Sequence, residues 1–426
     1  MLHYEKILHY IWRFRLFNFH DLRTVKGEQV EIINPGNINV DAGPDFYDAK
    51  IKIGNTLWAG TVEIHLSSSD WLKHQHQHDK AYDNVILHVV WDDDTAIQRS
   101  DGTYIPTLVL KHRVEEATIQ KIEGLACSNE SIPCAEQLKL VDEFYIKQWL
   151  DRMVVERLEE KSAYFEALHK QLKGSWEDTF YIGLARSFGF KVNSLPFELL
   201  AKNLPQQILA KHKQNSLQIE ALIFGMSGLL HERYQDEYPK KLKGEFDFLR
   251  QKYQLNPLEP SVWKFSKTRP DNFPTIRLAQ FAALINQSQH LFSKVTTTSD
   301  IKALKALFSD LKVHPYWANH YLFDEEAVKT SRNIGDASVN HILINTIAPL
   351  LFNYGKQISN PKFVDHATTL LENIKAEKNV ITENFTNIGL KVDSASESQA
   401  VIQLKKYYCD EKKCLNCGIG IKILKA

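Results

Sequence analysis

Two acidic side chains and an imidazole in the N-terminal part of the sequence have the types and spacing of a small catalytic or metal-binding group. In the run LWAGTVEIHL, the alternation of a β-strand places Glu63 and His65 on the same face. Asp45 lies in the turn-like GPDF, at the head of the strand that would precede this run in a hairpin, so the two carboxylates can meet at one point. Such groups are costly to bury unless they are paired, hydrogen-bonded or bound to a metal.

A second polar cluster follows in the sequence. Its members are His74, His76, His78, Asp79 and Tyr82, with His88 on the next predicted strand. A helix over residues 70–82 would place His74 and His78 on one face, which an enzyme could use to grip a scissile phosphate or to complete a metal shell. The alternative is a solvated, histidine-rich segment, with His88 as a hydrogen-bonded core residue.

A small α/β layer in residues 1–111 must position these side chains. An opening helix is followed by three β-like runs, a helix-length segment and further strands, and turn signals such as NPGN and SDGT separate the runs. The predicted strands cover residues 28–33, 47–53, 57–66, 84–91 and 107–111. This order predicts a mixed sheet.

The remainder of the sequence has a different pattern. Apolar residues recur every three or four positions over long stretches, which predicts a helical domain over residues 112–395. The polar run VDSASESQA then leads into a cysteine-bearing tail, residues 396–426. The predicted fold class is therefore α+β, with a mixed-sheet α/β domain, a large all-α domain and a short tail.

The N-terminal pattern resembles the PD-(D/E)xK nuclease superfamily, in which an acidic residue starts one strand and Glu-x-Lys lies on the next. The resemblance implies a restriction-endonuclease-like fold for residues 1–111 and a nuclease acting on DNA or RNA. Carried over to this sequence, it makes Asp45 and Glu63 the ligands of Mg²⁺ (or Mn²⁺), and His65 the residue that orients the attacking water.

His65 stands where that superfamily usually has lysine. Histidine can act as a general base near pH 7, but it does not carry a persistent positive charge as lysine does. Two interpretations stay open: a variant active site, or a non-catalytic nucleic-acid-binding or scaffold protein that retains the nuclease-like fold.

A competing chemistry is that of a zinc hydrolase, since HQHQHD is similar to the His-x-His-x-Asp-His loop of metallo-β-lactamase-like enzymes. Its last two residues stand in the reverse order. That fold would also need further strand-end ligands at long intervals, whereas the downstream half of this chain is predicted to be helical. We therefore favour the nuclease-like interpretation.

The overall charge identifies no partner, because 52 basic residues balance 52 acidic ones. Any nucleic-acid contact must come from a local patch. The segment KFSKTRPDNFPTIR has few acidic residues and supplies Lys264, Lys267, Arg269 and Arg277, which we expect to hold a phosphodiester backbone. The alternative is that each of these four side chains lies on an ordinary solvated surface and contacts no nucleic acid.

Three of the five cysteines lie in the tail, as Cys409, Cys414 and Cys417. Their spacing predicts zinc or an iron–sulfur cluster, with Cys127, Cys134 or a histidine as the fourth ligand; the alternative is a packed set of reduced thiols. The sparse cysteines, the N-terminus without signal-peptide character and the lack of a bilayer-length apolar run predict a cytoplasmic protein without a membrane partner.

Longer motifs spread along the chain resemble one family. They are the W-x-G-x-VEIH run, SSDW-x-x-H-x-H, VILHVV, FGFKVNSLPFELLAKNLP, RPDNFPTIRLAQ and CLNCGIG. Together they resemble the bacterial domain of unknown function 2851 family over nearly the whole chain. This resemblance implies a full-length architecture and no established activity, so the predicted chemistry depends on Asp45, Glu63 and His65.

Overall fold

The computed structural model describes residues 2–39, 41–230, 233–266, 268–327 and 333–425. The chain divides into two compact units. The first consists of Met1–Leu150, Asn387–Gly389 and Leu404–Ala426, and the second of Asp151–Thr386 and Leu390–Gln403. The first unit therefore includes, besides residues 1–111, the chain up to Leu150 and most of the predicted tail.

The first unit is built on a six-stranded mixed sheet. In chain order its elements are α1 (Leu2–Phe14), β1 (Val30–Asn34), β2 (Asn37–Ile38), β3 (Phe46–Ile53), β4 (Thr56–Ser67), α2 (Asp70–Lys73), β5 (Val85–Asp92), β6 (Thr107–Val109) and α3 (Glu116–Cys127). The strand order is β1-β3-β4-β5-β6, with β2 paired to β3. Pairing is antiparallel from β1 to β4 and parallel from β4 to β6. The predicted α+β class and mixed sheet are confirmed, whereas β2 was not predicted.

The strand sequences account for this sheet. β3 alternates buried Ala49, Ile51 and Ile53 with exposed Lys50 and Lys52, as a half-buried strand does. β5 is buried without interruption over residues 85–90, which is typical of a parallel strand covered on both faces.

A glycine on β4 allows a close approach to the chain that enters β5. A Cβ atom at Gly60 would lie 2.5 Å from Cγ2 of Ile86 and 2.6 Å from the carbonyl oxygen of Asn84. Only a residue without a side chain fits this contact, so the sequence W-x-G-x-VEIH has a packing reason for its glycine.

The predicted helix over residues 70–82 is wrong. Its place is taken by the single turn α2 and by two 3-10 turns, His76–His78 and Lys80–Tyr82. Gln75 adopts a left-handed conformation, with φ of 61°, and breaks the helix after His74. Asp79 is extended and its carboxylate accepts a hydrogen bond from the N–H of Ala81, which starts the last turn.

The long helix α4 (Glu143–Gln171) begins in the first unit and continues in the second. The second unit is mainly helical over its described residues. Its helices are α5 (Trp176–Phe188), α6 (Ser194–Asn203), α7 (Gln206–Ala210), α8 (Ser216–Met226), α9 (Glu237–Tyr253), α10 (Pro274–Gln287), α11 (Leu291–Thr297), α12 (Ile301–Ser309), α13 (Asp336–Ile342), α14 (Ala348–Gln357), α15 (Pro361–Glu372), α16 (Val380–Asn387) and α17 (Ala395–Leu404). One antiparallel strand pair, β7 (His320–Leu322) and β8 (Glu325–Glu326), was not predicted.

The core of the second unit is rich in aromatic rings. Phe281 on α10 contacts Phe188 of α5 and Phe197 of α6 with ring centroids 5.3 and 6.2 Å apart. All three side chains are fully buried, so apolar burial holds these helices together.

The chain ends in helix α18 (Gly418–Lys425), which belongs to the first unit. Among the described residues, no helix combines the length and the apolar character that crossing a bilayer requires.

Candidate metal centre

Two parallel strands place three polar side chains on one face of the sheet. Glu63 and His65 alternate with apolar residues on β4, and Glu63 is the register partner of His88 on β5. These three side chains are at most 4% exposed, because the sheet is covered here. The predicted common face of Glu63 and His65 therefore lies in the interior of the first unit, where each polar atom needs a partner.

The partners are mainly other histidines. His65 Nδ1 lies 2.9 Å from His88 Nε2, and His65 Nε2 lies 3.1 Å from His74 Nδ1. Glu63 Oε1 is 3.5 Å from His65 Nε2 and 3.3 Å from His76 Nε2. His74 is exposed and His76 half-buried, so the cluster is open to solvent on the side of these two residues.

The spacing of these atoms matches the ligand shell of one metal ion. One ring nitrogen from each of His65, His74 and His76 lies within 4.8 Å of the other two. Ligands about 2.0–2.1 Å from a tetrahedral ion are about 3.3–3.4 Å apart. Three of the contacts among Glu63 Oε1 and the histidine nitrogens, from 3.1 to 3.5 Å long, fall around this value.

Two aromatic side chains hold the histidines in place. The ring of Tyr82 stacks on His76 with centroids 3.8 Å apart. Trp71, which is 1% exposed, contacts His76 and His88 edge to face at 5.3 Å. These rings restrict the histidine side chains, which preorganises the cluster for a ligand.

Asp45 and Glu63 are tied together through the backbone. The N–H of Asp45 donates a hydrogen bond to Glu63 Oε2 at 3.0 Å, and the N–H of Ile64 donates one to Asp45 Oδ2 at 2.9 Å. His9 of α1 approaches the same carboxylate, with Nε2 3.2 Å from Asp45 Oδ2. Asp45 thus fixes the position of Glu63 and faces α1.

Burial keeps the interior of the cluster uncharged when no cation is bound. It raises the pKa of Glu63 to about 9, and the nearby charge of Asp45 adds to this effect. Burial and the neighbouring histidines lower the pKa of His65 to about 2, and burial lowers that of His88 to about 3. Burial also opposes a charge on His9, but the carboxylate of Asp45 outweighs it and raises the pKa of that imidazole. A protonated Glu63 among neutral imidazoles is a site that a cation would reorganise.

The structure brings most members of the predicted cluster together and places two of them elsewhere. It brings Asp45, Glu63, His65, His74, His76, Tyr82 and His88 together. His78 is exposed, and Asp79 is exposed and caps the turn that follows it. The expectation that His74 and His78 share a face is wrong, because the left-handed Gln75 directs His76 to the cluster instead.

Two residues of α1 were missed by the sequence analysis. His9 contacts Asp45, and the half-buried Glu5, one helical turn before it, has a raised pKa owing to burial and to the charge of Asp45. The spacing of four between a glutamate and a histidine on the opening helix was the available signal. This spacing alone does not show which strand end Glu5 and His9 would face.

The basic residues expected to contact nucleic acid lie in the second unit. Arg277 is wrongly assigned as a contact, because it is 5% exposed and its guanidinium hydrogen-bonds Asn272, Gln280 and Ser338 and lies 4.3 Å from the ring centre of Phe190. Lys264 and Arg269 are exposed, and Lys267 lies outside the described residues.

Comparison with other proteins places the chain in a family. Neither a curated protein nor a solved structure matches this chain. The family model described as "Protein of unknown function (DUF2851)" matches residues 5–380, which covers the whole cluster around Glu63. The chain therefore belongs to the DUF2851 family.

Proposed function

We propose that the protein is a metal-dependent hydrolase that cleaves the phosphodiester bonds of DNA or RNA. In this proposal, Glu63, His65, His74 and His76 bind the ion. The observation that carries it is the convergence of three imidazole nitrogens, each within 4.8 Å of the other two, with a carboxylate oxygen of Glu63 3.5 Å from His65 and 3.3 Å from His76.

The donor set selects the ion. Mg²⁺, which the nuclease resemblance implies, prefers oxygen ligands and fits a group of three imidazoles poorly. Imidazole with carboxylate suits Zn²⁺, and Mn²⁺ accepts the same mixed set. We therefore propose Mn²⁺ or Zn²⁺ as the bound ion, and we assign Asp45 to positioning Glu63.

Each side chain then has a role. An ion of this class, when bound, lowers the pKa of a coordinated water. His65 Nδ1 lies 2.9 Å from His88 Nε2, and in this proposal Nδ1 carries the hydrogen and donates it, which leaves the lone pair on Nε2 for binding, as metal-ligating histidines commonly do. Asp45 donates its N–H to Glu63 and so orients the carboxylate. The exposed edge of His74 leaves room for a substrate at the solvent side.

The order of elements supports the nuclease-like part of the proposal. Helix α1, the antiparallel strands β1, β3 and β4, the α2 region and the parallel strand β5 follow in the order expected from the sequence. Because His65 is buried and neutral, it does not supply the positive charge of the superfamily's lysine. The nearest cationic group is His9, whose imidazole lies beside Asp45 and is protonated more readily because of that carboxylate, which raises its pKa, although it does not replace the permanent charge of a lysine.

We also propose a cytoplasmic location. The four cysteines whose side chains are described are all free thiols, although they are buried within one unit. Unoxidised cysteines in this arrangement fit a reducing compartment.

Metal binding is the first test. Isothermal titration of the protein, prepared with a chelator and then freed of it, should show one site for Mn²⁺, an ion for which the buried thiols have less affinity than for Zn²⁺. His76→Gln should weaken binding by about 10-fold or more, since it removes a ligand. The matched control is His78→Gln, two residues away and exposed, which should bind as the wild type does. Equal affinities of these two variants would refute the site.

Cleavage is the second test. Single- and double-stranded DNA and RNA are incubated with the wild type and Mn²⁺, Zn²⁺ or Mg²⁺. We expect cleavage that Glu63→Gln abolishes and His78→Gln retains. Metal binding without cleavage of any substrate would reject the hydrolase, and a gel shift of inert protein would favour the non-catalytic nucleic-acid-binding alternative.

A further inference from the structure

Four cysteines from two distant parts of the chain are buried together in the first unit. Cys134 lies between α3 and α4, whereas Cys409, Cys414 and Cys417 lie in the last 23 residues that this unit contains. Each is at most 8% exposed, and all four are free thiols. The tail therefore folds back onto the segment that carries Cys134.

The four sulfur atoms are close enough to influence one another electrically. Burial is the main cause of the raised pKa of each thiol. The pKa values of Cys134, Cys409 and Cys414 are raised further by neighbouring cysteines of the group. Each of the six possible pairs occurs among these interactions. The four sulfur atoms therefore lie in one buried region of the first unit.

The backbone around Cys417 is arranged for a thiolate. The N–H groups of Ile419 and Gly420, at the start of α18, hydrogen-bond to its sulfur. Gly420 also permits a tight fold, because a Cβ atom there would lie 2.1 Å from the carbonyl oxygen of Cys414. N–H donors to a cysteine sulfur are characteristic of metal-bound thiolates, whose charge they share.

The spacing of the sulfurs distinguishes two kinds of centre. Four thiolates about 2.3 Å from one tetrahedral zinc ion would be about 3.8 Å apart. Within the described part of the chain, no three cysteine sulfurs lie within 4.8 Å of one another. A four-iron cluster binds each thiolate at a different iron and so holds the sulfurs further apart than a single ion does.

We propose that Cys134, Cys409, Cys414 and Cys417 bind a [4Fe–4S] cluster that fastens the C-terminal tail to the chain between α3 and α4. The sequence left the fourth ligand open between Cys127, Cys134 and a histidine. The side chain of Cys127 lies outside the described residues, and the tertiary structure brings Cys134 to the other three. This site is independent of the proposed hydrolase.

The test is the metal content of the full-length protein purified without oxygen. We expect a broad visible absorption that dithionite bleaches, with about four iron and about four acid-labile sulfide per chain. Zinc without iron, or a colourless protein that takes up neither iron nor sulfide on reconstitution, would overturn the proposal. This result does not depend on whether the protein cleaves nucleic acid.

Two variants test the choice of ligands. Cys134→Ser should lose most of the iron and the visible absorption, whereas Cys127→Ser should keep both. Far-UV circular dichroism shows whether each variant folds. Should Cys134→Ser fail to fold, the iron and sulfide content of the wild type and of Cys127→Ser decides. Loss of iron in Cys127→Ser with retention in Cys134→Ser would overturn the assignment.

Discussion

Replacing Glu63 with glutamine should make the metal-free protein more stable and, at the same time, unable to bind metal. Burial and the charge of Asp45 raise the pKa of Glu63 to about 9 in the folded protein, so its carboxyl group stays protonated at neutral pH. The unfolded chain ionises this group above the ordinary pKa of 4.5. Between these two values the folded state holds one more proton than the unfolded state.

The sign and size of the effect follow from this difference. An acid whose pKa is raised by folding stabilises the protein at low pH, and this contribution is lost as the pH rises from 4.5 towards 9. The loss is about 1.4 kcal/mol of unfolding free energy per pH unit. Glutamine has nearly the same shape and does not titrate, so Glu63→Gln should lack this slope.

The assay is urea unfolding in the presence of a chelator. From about pH 6.5 to about pH 8, the wild type should lose about 2 kcal/mol relative to Glu63→Gln. His65 and His88 are present in both proteins, so their titration in the unfolded state largely cancels in the comparison. Glu31→Gln, which alters an exposed carboxylate on β1, is the matched control and should follow the wild type.

Parallel pH curves for the wild type and Glu63→Gln would refute the reasoning, because they would mean that Glu63 is already ionised in the metal-free fold. Saturating Mn²⁺ gives a second readout with the opposite sign. At about 100 times its Kd the ion should stabilise the wild type by about 2.7 kcal/mol and leave Glu63→Gln unchanged.

Further predictions concern the same unit. At about pH 7.5, binding of Mn²⁺ should release about one proton, from Glu63, as measured by calorimetry in two buffers; no release would contradict its protonated state. His88→Gln should weaken Mn²⁺ binding about 10- to 100-fold by freeing His65 to rotate, and an unchanged Kd would contradict this. Gly60→Ala should cost about 1–3 kcal/mol in thermal unfolding, because the new methyl group would lie 2.5 Å from a side chain of β5. Gly124→Ala, with open space at its Cβ, is the control and should be neutral or stabilising by up to about 1 kcal/mol.

The cysteine site predicts a dependence of stability on redox conditions. Removal of iron by a chelator after oxidation should lower the melting temperature of the wild type, since the fastening of the tail is lost. Cys134→Ser should melt near the temperature of the iron-free wild type and should not respond to the same treatment. A wild type that melts at the same temperature with and without iron would argue against a structural role.

Sequence patterns predicted the placement of side chains correctly where that placement depends on residues close together in the chain. Alternation along LWAGTVEIHL placed Glu63 and His65 on one face of β4, because successive side chains of any strand point to opposite sides. The short connection before it brought Asp45 to the head of the antiparallel partner β3. The mixed sheet was predicted from the order of the elements, since three β-like runs precede the helix-length segment and further strands follow it.

The sequence pattern did not predict the structure correctly where the backbone conformation of a single residue changes the direction of the chain. Residues 70–82 have the composition of a short helix, yet Gln75 is left-handed and Asp79 extended. Because of these two backbone conformations, His76 lies at the cluster and His78 is exposed. Arg277 shows the same limit, because its charge predicts exposure, whereas its two terminal guanidinium nitrogens hydrogen-bond to Gln280 and Ser338 in the interior.

The family, the α+β class and the pair Glu63 and His65 could be predicted from the sequence, since each depends on motifs or on the periodicity of local segments. The fold was needed to show that His74 and His76, but not His78, lie beside this pair, that His9 faces Asp45 and that Cys134 lies near the cysteines of the tail. The physical reason is that these contacts join segments up to 283 residues apart, from Cys134 to Cys417. Such contacts form through the packing of whole elements, which the spacing of neighbouring residues does not specify.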